Sequence, residues 1–273
     1  MDIDRGSPGT YPSANIAARR PLLHSARHLG RLTLPALLAL LPGCQTDTPK
    51  AAPSRLILWA WERPEDLRFA GDSEIALQTS FLELTGDTLR ARGRYFPLQS
   101  ARPPETVVVH IQIDHSQQLN WTPALRAQVA AAVRHYATIV PATRVQIDFE
   151  VRKSERQILL DVLQDARAAL PSRIRLSMTA LASWCMFDDW LGDAPVDEIV
   201  PMLFRMQKDG PSIIKWLADG KDFRNPRCRA ALAISSDSPI PRAPPGRRVY
   251  LFNPRSWTAA SYQQAQHAVE AWR

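Results

Sequence analysis

Gln146, Asp148 and Glu150 stand two residues apart in the run Arg144-Val-Gln-Ile-Asp-Phe-Glu150. Side chains alternate along a strand, so these three polar groups share one face while Val145, Ile147 and Phe149 take the other. Successive members lie roughly 6.6 to 7 Å apart by strand rise. Two carboxylates this close push one pKa upward, and the protonated member then serves as an acid near neutral pH. A general acid beside a second carboxylate is the equipment for glycosidic cleavage. The competing reading has Asp148 paired with Arg144, Arg152 or Arg205, an ion pair that merely closes a rim.

Other candidates are less specific. Trp59 and Trp61 end one apolar run, His110, Gln112 and Asp114 end another, and Trp184 and Trp257 follow two more; indole faces there suit stacking on sugar rings, although any single Trp is more often core. His110, His115 and Asp114 lack a recognised metal-ligand spacing, so a rim hydrogen-bond network is the stronger expectation and no metal is expected. Ser183-Trp-Cys185 is not flanked by the glycines of a nucleophile elbow. The eleven glycines form neither a dinucleotide fingerprint nor a phosphate loop, and no cofactor is implied.

The elements that must position these groups are eight apolar runs. They are Leu56 to Trp61, Glu74 to Phe81, Thr106 to Ile113, Arg144 to Glu150, Ile174 to Ala180, Glu198 to Phe204, Arg229 to Ser235 and Arg248 to Phe252. Nearly continuous Val, Ile and Leu suits parallel strands buried on both faces. Helical spacing fills most gaps: Pro123 to Val140 behind a Thr122 cap, Ser154 to Leu170 with Ser154 as cap, Pro211 to Ala218, and Thr258 to Trp272. Gly86-Asp87 within Leu82 to Leu98 predicts a hairpin instead. Alternating strand and helix predict an α/β fold, a (β/α)8 TIM-like barrel with a β-hairpin insertion after the second strand. In such a barrel the chemistry gathers at the carboxyl ends of the strands, where Asn253 also falls.

The 45% hydrophobic and 22% charged composition is that of a globular chain. Beyond Cys44, 29 basic residues face 25 acidic ones without a basic run, which argues against nucleic acid as a partner. Leu32 to Leu41 is a ten-residue apolar stretch behind Arg27 and Arg31, ahead of Pro42-Gly-Cys44. A helix that long rises about 15 Å, half the bilayer core, so it predicts a signal peptide rather than a span. Leu41-Pro-Gly-Cys44 resembles a bacterial lipobox, which implies that Cys44 is acylated. The division expected is a leader and signal over 1–44, a tether over 45–54 and the barrel over 55–273. Cys185 and Cys228 fall at opposite ends of different strands, which predicts two free thiols.

The Gln146-Ile-Asp148-Phe-Glu150 run resembles the Asp-x-Asp-x-Glu motif of the chitinase-like glycoside hydrolase family eighteen, with Gln in place of the first Asp. The resemblance implies Glu150 as general acid and Asp148 as the group that holds a substrate acetamido arm. Met202-Leu-Phe204-Arg205 is similar to that family's Met-x-Tyr-Asp, with Phe and Arg substituted. A wider resemblance, carried by Ile57-Leu-Trp-Ala-Trp-Glu-Arg63, the Gln146 run, Leu176 to Cys185 and Asp197 to Met206, is to an uncharacterised family of bacterial secreted proteins and lipoproteins. Together these imply a lipid-anchored glycoside hydrolase-like protein of the cell envelope on the periplasmic face; Gln45 after Cys44, in place of the Asp associated with inner-membrane retention, points to the outer membrane. Catalytic Glu150 and Asp148 would act with Gln146, Trp59, Trp61, His110, Asp114, Trp184, Met202, Phe204, Arg205 and Asn253 around a polysaccharide. The alternatives are a catalytically inactive glycan-binding barrel and an envelope scaffold lipoprotein; a monomer is expected in each case.

Overall fold

A computed structural model describes residues 55–239 and 241–272. The expected signal peptide, Cys44 and tether lie outside the described residues.

The strands are β1 (Arg55–Ala60), β2 (Glu65–Asp66), β3 (Glu74–Thr85), β4 (Thr88–Gly93), β5 (Leu98–Gln99), β6 (Thr106–Ile113), β7 (Arg144–Phe149), β8 (Arg175–Leu181), β9 (Glu198–Met202), β10 (Ala231–Ser235) and β11 (Arg248–Phe252). Eight of them run parallel in the order β1-β11-β10-β9-β8-β7-β6-β3, and β3 pairs back onto β1, which closes a TIM-like barrel. These eight are the eight apolar runs of the sequence. The short β2 and β5 pair with each other outside it.

Helices α1 (Pro123–Ala137), α2 (Arg156–Ala169), α3 (Ala182–Phe187), α4 (Gly210–Ala218) and α5 (Ala259–Glu270) follow β6, β7, β8, β9 and β11. On α1, Thr122 Oγ1 accepts the Leu125 N–H at 3.1 Å, and Leu125, Val129, Val133 and Ala137 form the buried stripe. Before α2, Ser154 is not the cap. It lies inside a short 3-10 turn, Lys153–Glu155, and the Glu155 carboxylate reaches back to accept the Arg152 N–H at 2.7 Å. The carboxylate thus meets a donor behind it, whereas a capping Ser154 hydroxyl would have met one ahead, on Arg156 or Gln157.

Among the described residues no α-helix follows β1, β3 or β10. A 3-10 turn, Arg68–Ala70, lies between β1 and β3, and the β3–β4 hairpin follows β3. Thr85 pairs with Thr88 across that hairpin. Gly86 has φ 59°, the left-handed value that a two-residue turn with glycine first requires. On the barrel wall β4 takes over beside β3 where β1 ends, so the hairpin raises the wall on that side.

Period-two alternation divides the core. Ile57, Trp59, Ala76, Val108, Val200, Ala233, Tyr250 and Phe252 fill the barrel, and Leu58, Val145, Ile147, Phe149, Leu176 and Met178 face the helices. The base of the barrel is ionic. Arg248 donates twice to Glu74 at 2.9 and 2.8 Å and approaches Glu198 at 3.0 Å, while Arg144 approaches Glu198 at 3.4 Å.

The two cysteines are not free. Cys185 and Cys228 form a disulfide with their Cα atoms 6.0 Å apart. The expected separation placed each thiol on the axis of its nearest strand. In fact α3 begins directly after β8 and carries Cys185 off the rim, while Cys228 lies in a 3-10 turn, Pro226–Cys228, packed against β9. The Asn225 N–H donates to the Cys185 carbonyl at 3.1 Å and draws the two segments together.

Candidate active site

The carboxyl ends of the strands open into a cleft of about 690 Å³. Alternation from the packed barrel layer places its walls: Trp61 past β1, His110 on β6, Asp148 on β7 with Glu150 just beyond, Met202 on β9 with Phe204 beyond, and Phe252 on β11. The aromatic groups hold one another. Phe252 lies 4.9 Å from Phe204 and 5.6 Å from Trp61 between ring centroids, and the Trp61 edge meets His110 at 6.1 Å.

Asp148 is buried, and both its oxygens are engaged. Oδ2 lies 2.6 Å from His110 Nδ1, and Oδ1 accepts the Thr179 hydroxyl at 2.7 Å. The partner is therefore His110, and none of the arginines considered from sequence; Arg144 serves Glu198 at the base instead. Burial disfavours a charged His110, but the charge and hydrogen bond of Asp148, with help from Glu150, outweigh it and hold the imidazole pKa above its ordinary value. The ring also stacks on Phe81 at 5.2 Å, and Phe81 in turn lies under the Arg92 guanidinium at 4.8 Å.

Glu150 faces the cleft, exposed at its mouth, and makes no side-chain hydrogen bond or ion pair among the described residues. Desolvation against the cleft wall and then the charge of Asp148 raise its pKa, opposed by His110 and Arg205. An unengaged carboxyl that retains its proton longer than usual is chemically a proton donor.

The loop after β9 is strained. Arg205 at φ 52° and Gln207 at φ 50° are the only non-glycine residues with positive φ among the described residues. Left-handed backbone costs an ordinary residue roughly 1–2 kcal/mol, and such strain clusters at functional sites. Arg205, Gln207, Lys208 and Asp209 all line the cleft.

The remaining sequence candidates separate by depth. Gln146 is fully buried one layer below Asp148 and donates to Ser177 Oγ at 2.9 Å, so it does not reach a ligand. Trp59 is sealed inside the barrel beneath Phe252, at 4.2 Å between centroids. Trp184 lies on α3 against Trp190, and Trp257 donates its indole N–H to the Trp59 carbonyl; both are core. Asp114 turns to the Ser116 N–H and hydroxyl, and His115 turns to Glu155, so no shared network links them to His110. Asn253 accepts from the Ser236 hydroxyl and borders a smaller adjoining hollow of about 220 Å³ that Trp61, Phe204 and Arg205 share.

Thr179 and Phe252 escaped the sequence reading, although the polar alternation of Ser177 and Thr179 was a usable signal. A larger hollow of about 840 Å³ lies at the opposite end. There Arg248 pairs with Glu74 and Arg102 with Glu105, while Arg55 and Arg175 line the hollow without an ion pair among the described residues. No known protein family, curated protein or solved structure matches this chain.

Proposed function

We propose that the cleft binds a polysaccharide of the cell envelope and that Glu150 delivers a proton to the leaving glycosidic oxygen. The observation that carries this reading is the unengaged Glu150 carboxyl, its pKa raised, beside the Trp61–Phe252–Phe204 wall. In a transition state with developing positive charge on the sugar ring, the bond from anomeric carbon to leaving oxygen breaks as that oxygen takes the Glu150 proton. The resemblance to chitinase-like hydrolases supports this role. Asp148 departs from it, because His110 and Thr179 occupy the oxygens that would steady an acetamido arm, and Phe204 brings no hydroxyl. In our reading Asp148 acts through its charge on Glu150 and its hold on His110, and the nucleophile comes from the substrate or from water.

Those occupied oxygens favour the second reading, a barrel that retains glycan without cleaving it. Release of new reducing ends by the wild-type chain decides between the two, and Glu150→Gln then tests the acid. On a polysaccharide that the wild-type chain shortens, the variant should release no new reducing ends while retaining the polymer; unchanged release would remove Glu150 from the chemistry.

The Leu32 to Cys44 stretch supports an envelope lipoprotein, and a disulfide suits the oxidising compartment that an exported domain enters. Cys44→Ser should shift the protein from membrane to soluble or unprocessed fractions. Unchanged membrane retention would sink the anchor.

A further inference from the structure

We propose that the cleft takes an acidic glycan, with Arg205 and Lys208 gripping the negative group of a sugar next to the bond that Glu150 protonates. This rests on the glycan reading of the cleft and names the substrate class it admits.

Arg205 and Lys208 line the cleft, and among the described residues neither makes an ion pair or side-chain hydrogen bond. Several other arginines about the mouth are held by neighbours, and Arg152 and Arg255 on nearby loops do not line the cleft. Arg63 binds Glu65 and the Asn253 and Pro254 carbonyls, Arg94 binds the Trp61 and Arg63 carbonyls, Arg156 binds Asp188, and Arg92 covers Phe81. Arg205 and Lys208 are therefore the cleft-lining arginine and lysine that no carboxylate holds, and they share one short loop.

That loop also holds both left-handed non-glycine residues, Arg205 and Gln207. A surface arginine has no physical need of such backbone. A side chain that must be aimed into a site does.

The local charge also calls for an anion. Asp148 is paired with His110 and unavailable. Glu150 must be protonated to act as an acid, and it then gives Arg205 no negative neighbour. Asp209 shares the loop and the cleft but forms no ion pair with either cation. A guanidinium grips a carboxylate through two parallel N–H donors, and Lys208 adds a point charge. The adjoining Trp61 and Phe204 offer ring faces, as a sugar bearing that carboxylate needs.

The test uses the full chain carrying Glu150→Gln, so that binding is read without turnover. Retention is measured on polygalacturonate, alginate and hyaluronan, on their carboxyl-methylated forms, and on neutral chitin and cellulose. At least one acidic polymer should be held, with retention falling about tenfold on esterification and falling with added salt. Adding Arg205→Asn, which tolerates left-handed backbone, should produce a similar loss, while Arg205→Lys, which keeps the charge but not the paired donors, should fall between the two. Equal or better binding of neutral or esterified polymers would overturn the acidic assignment alone, as would undiminished retention by a folded Arg205→Asn chain. Retention of no polymer of either kind would overturn it together with the glycan reading.

Discussion

Asp148 governs two titrations at once. Its charge sits between His110 and Glu150 and raises the pKa of both, the imidazole against its burial and the carboxyl in concert with its own desolvation. Asp148→Asn keeps an oxygen for the Thr179 hydroxyl but removes that charge. Both pKa values should therefore fall: the His110 ring protons should titrate at lower pH by NMR, and the alkaline limb of any turnover should move to lower pH. The effect on stability has a definite sign. Because folding raises the His110 pKa, its pairing with Asp148 contributes fully below the unfolded value of about 6.5 and is lost as pH rises through the folded one. Urea unfolding of the wild type should show this loss on the alkaline side, and Asp148→Asn should flatten it. An unmoved His110 titration in the variant would mean that the 2.6 Å contact carries no charge coupling.

The elements were legible in proportion to how local their causes are. All eight barrel strands can be read as apolar runs because Val, Ile and Leu dominate the helix-facing side of each and polar residues interrupt only the inner side. Thr122 announces α1 because a cap bonds only two or three residues ahead. Glu150 facing the cleft follows from the same period of two. What failed was depth and lateral distance. Nothing local says that Gln146 lies one layer too low to meet a ligand, or that the Trp59 and Trp184 rings are sealed while Trp61 is not. The disulfide failed for the same reason, since α3 moves Cys185 sideways by an amount no strand register contains. Joining residues 43 apart, that bond removes about 4 kcal/mol of loop entropy from the unfolded chain in the chain-entropy account. Replacing both cysteines by serine should thus lower unfolding free energy by about 2–4 kcal/mol, and free-thiol labelling of the denatured wild-type chain should find neither thiol until reductant is added. Ready labelling without reductant would return both residues to the free state.

Across the barrel domain, the proposed function assigns stability to one end and chemistry to the other. At the base Glu198 accepts hydrogen bonds from the Tyr250 hydroxyl at 2.7 Å and Ser177 at 3.0 Å and lies against both Arg144 and Arg248. Removing one partner of such a buried set costs about 3–5 kcal/mol, because the remaining charges keep their desolvation and lose their compensation. Glu198→Gln leaves two guanidinium groups to share Glu74 and should be destabilised by that amount in urea unfolding. Glu74 adds a pH dependence. Burial pushes its pKa up, but Arg248 and Arg144 together bring it below the ordinary glutamate value. Its contribution is therefore present above about pH 4.3 and lost as pH falls through the folded value, so the base should open first in acid. At the other end Glu150 has no partner to lose, and Glu150→Gln should leave unfolding nearly unchanged. The pair of variants thus tests the division itself. A stable Glu198→Gln beside a destabilised Glu150→Gln would place the structural anchor at the cleft, and an acid that supports the fold would be a poor candidate for one that gives its proton away.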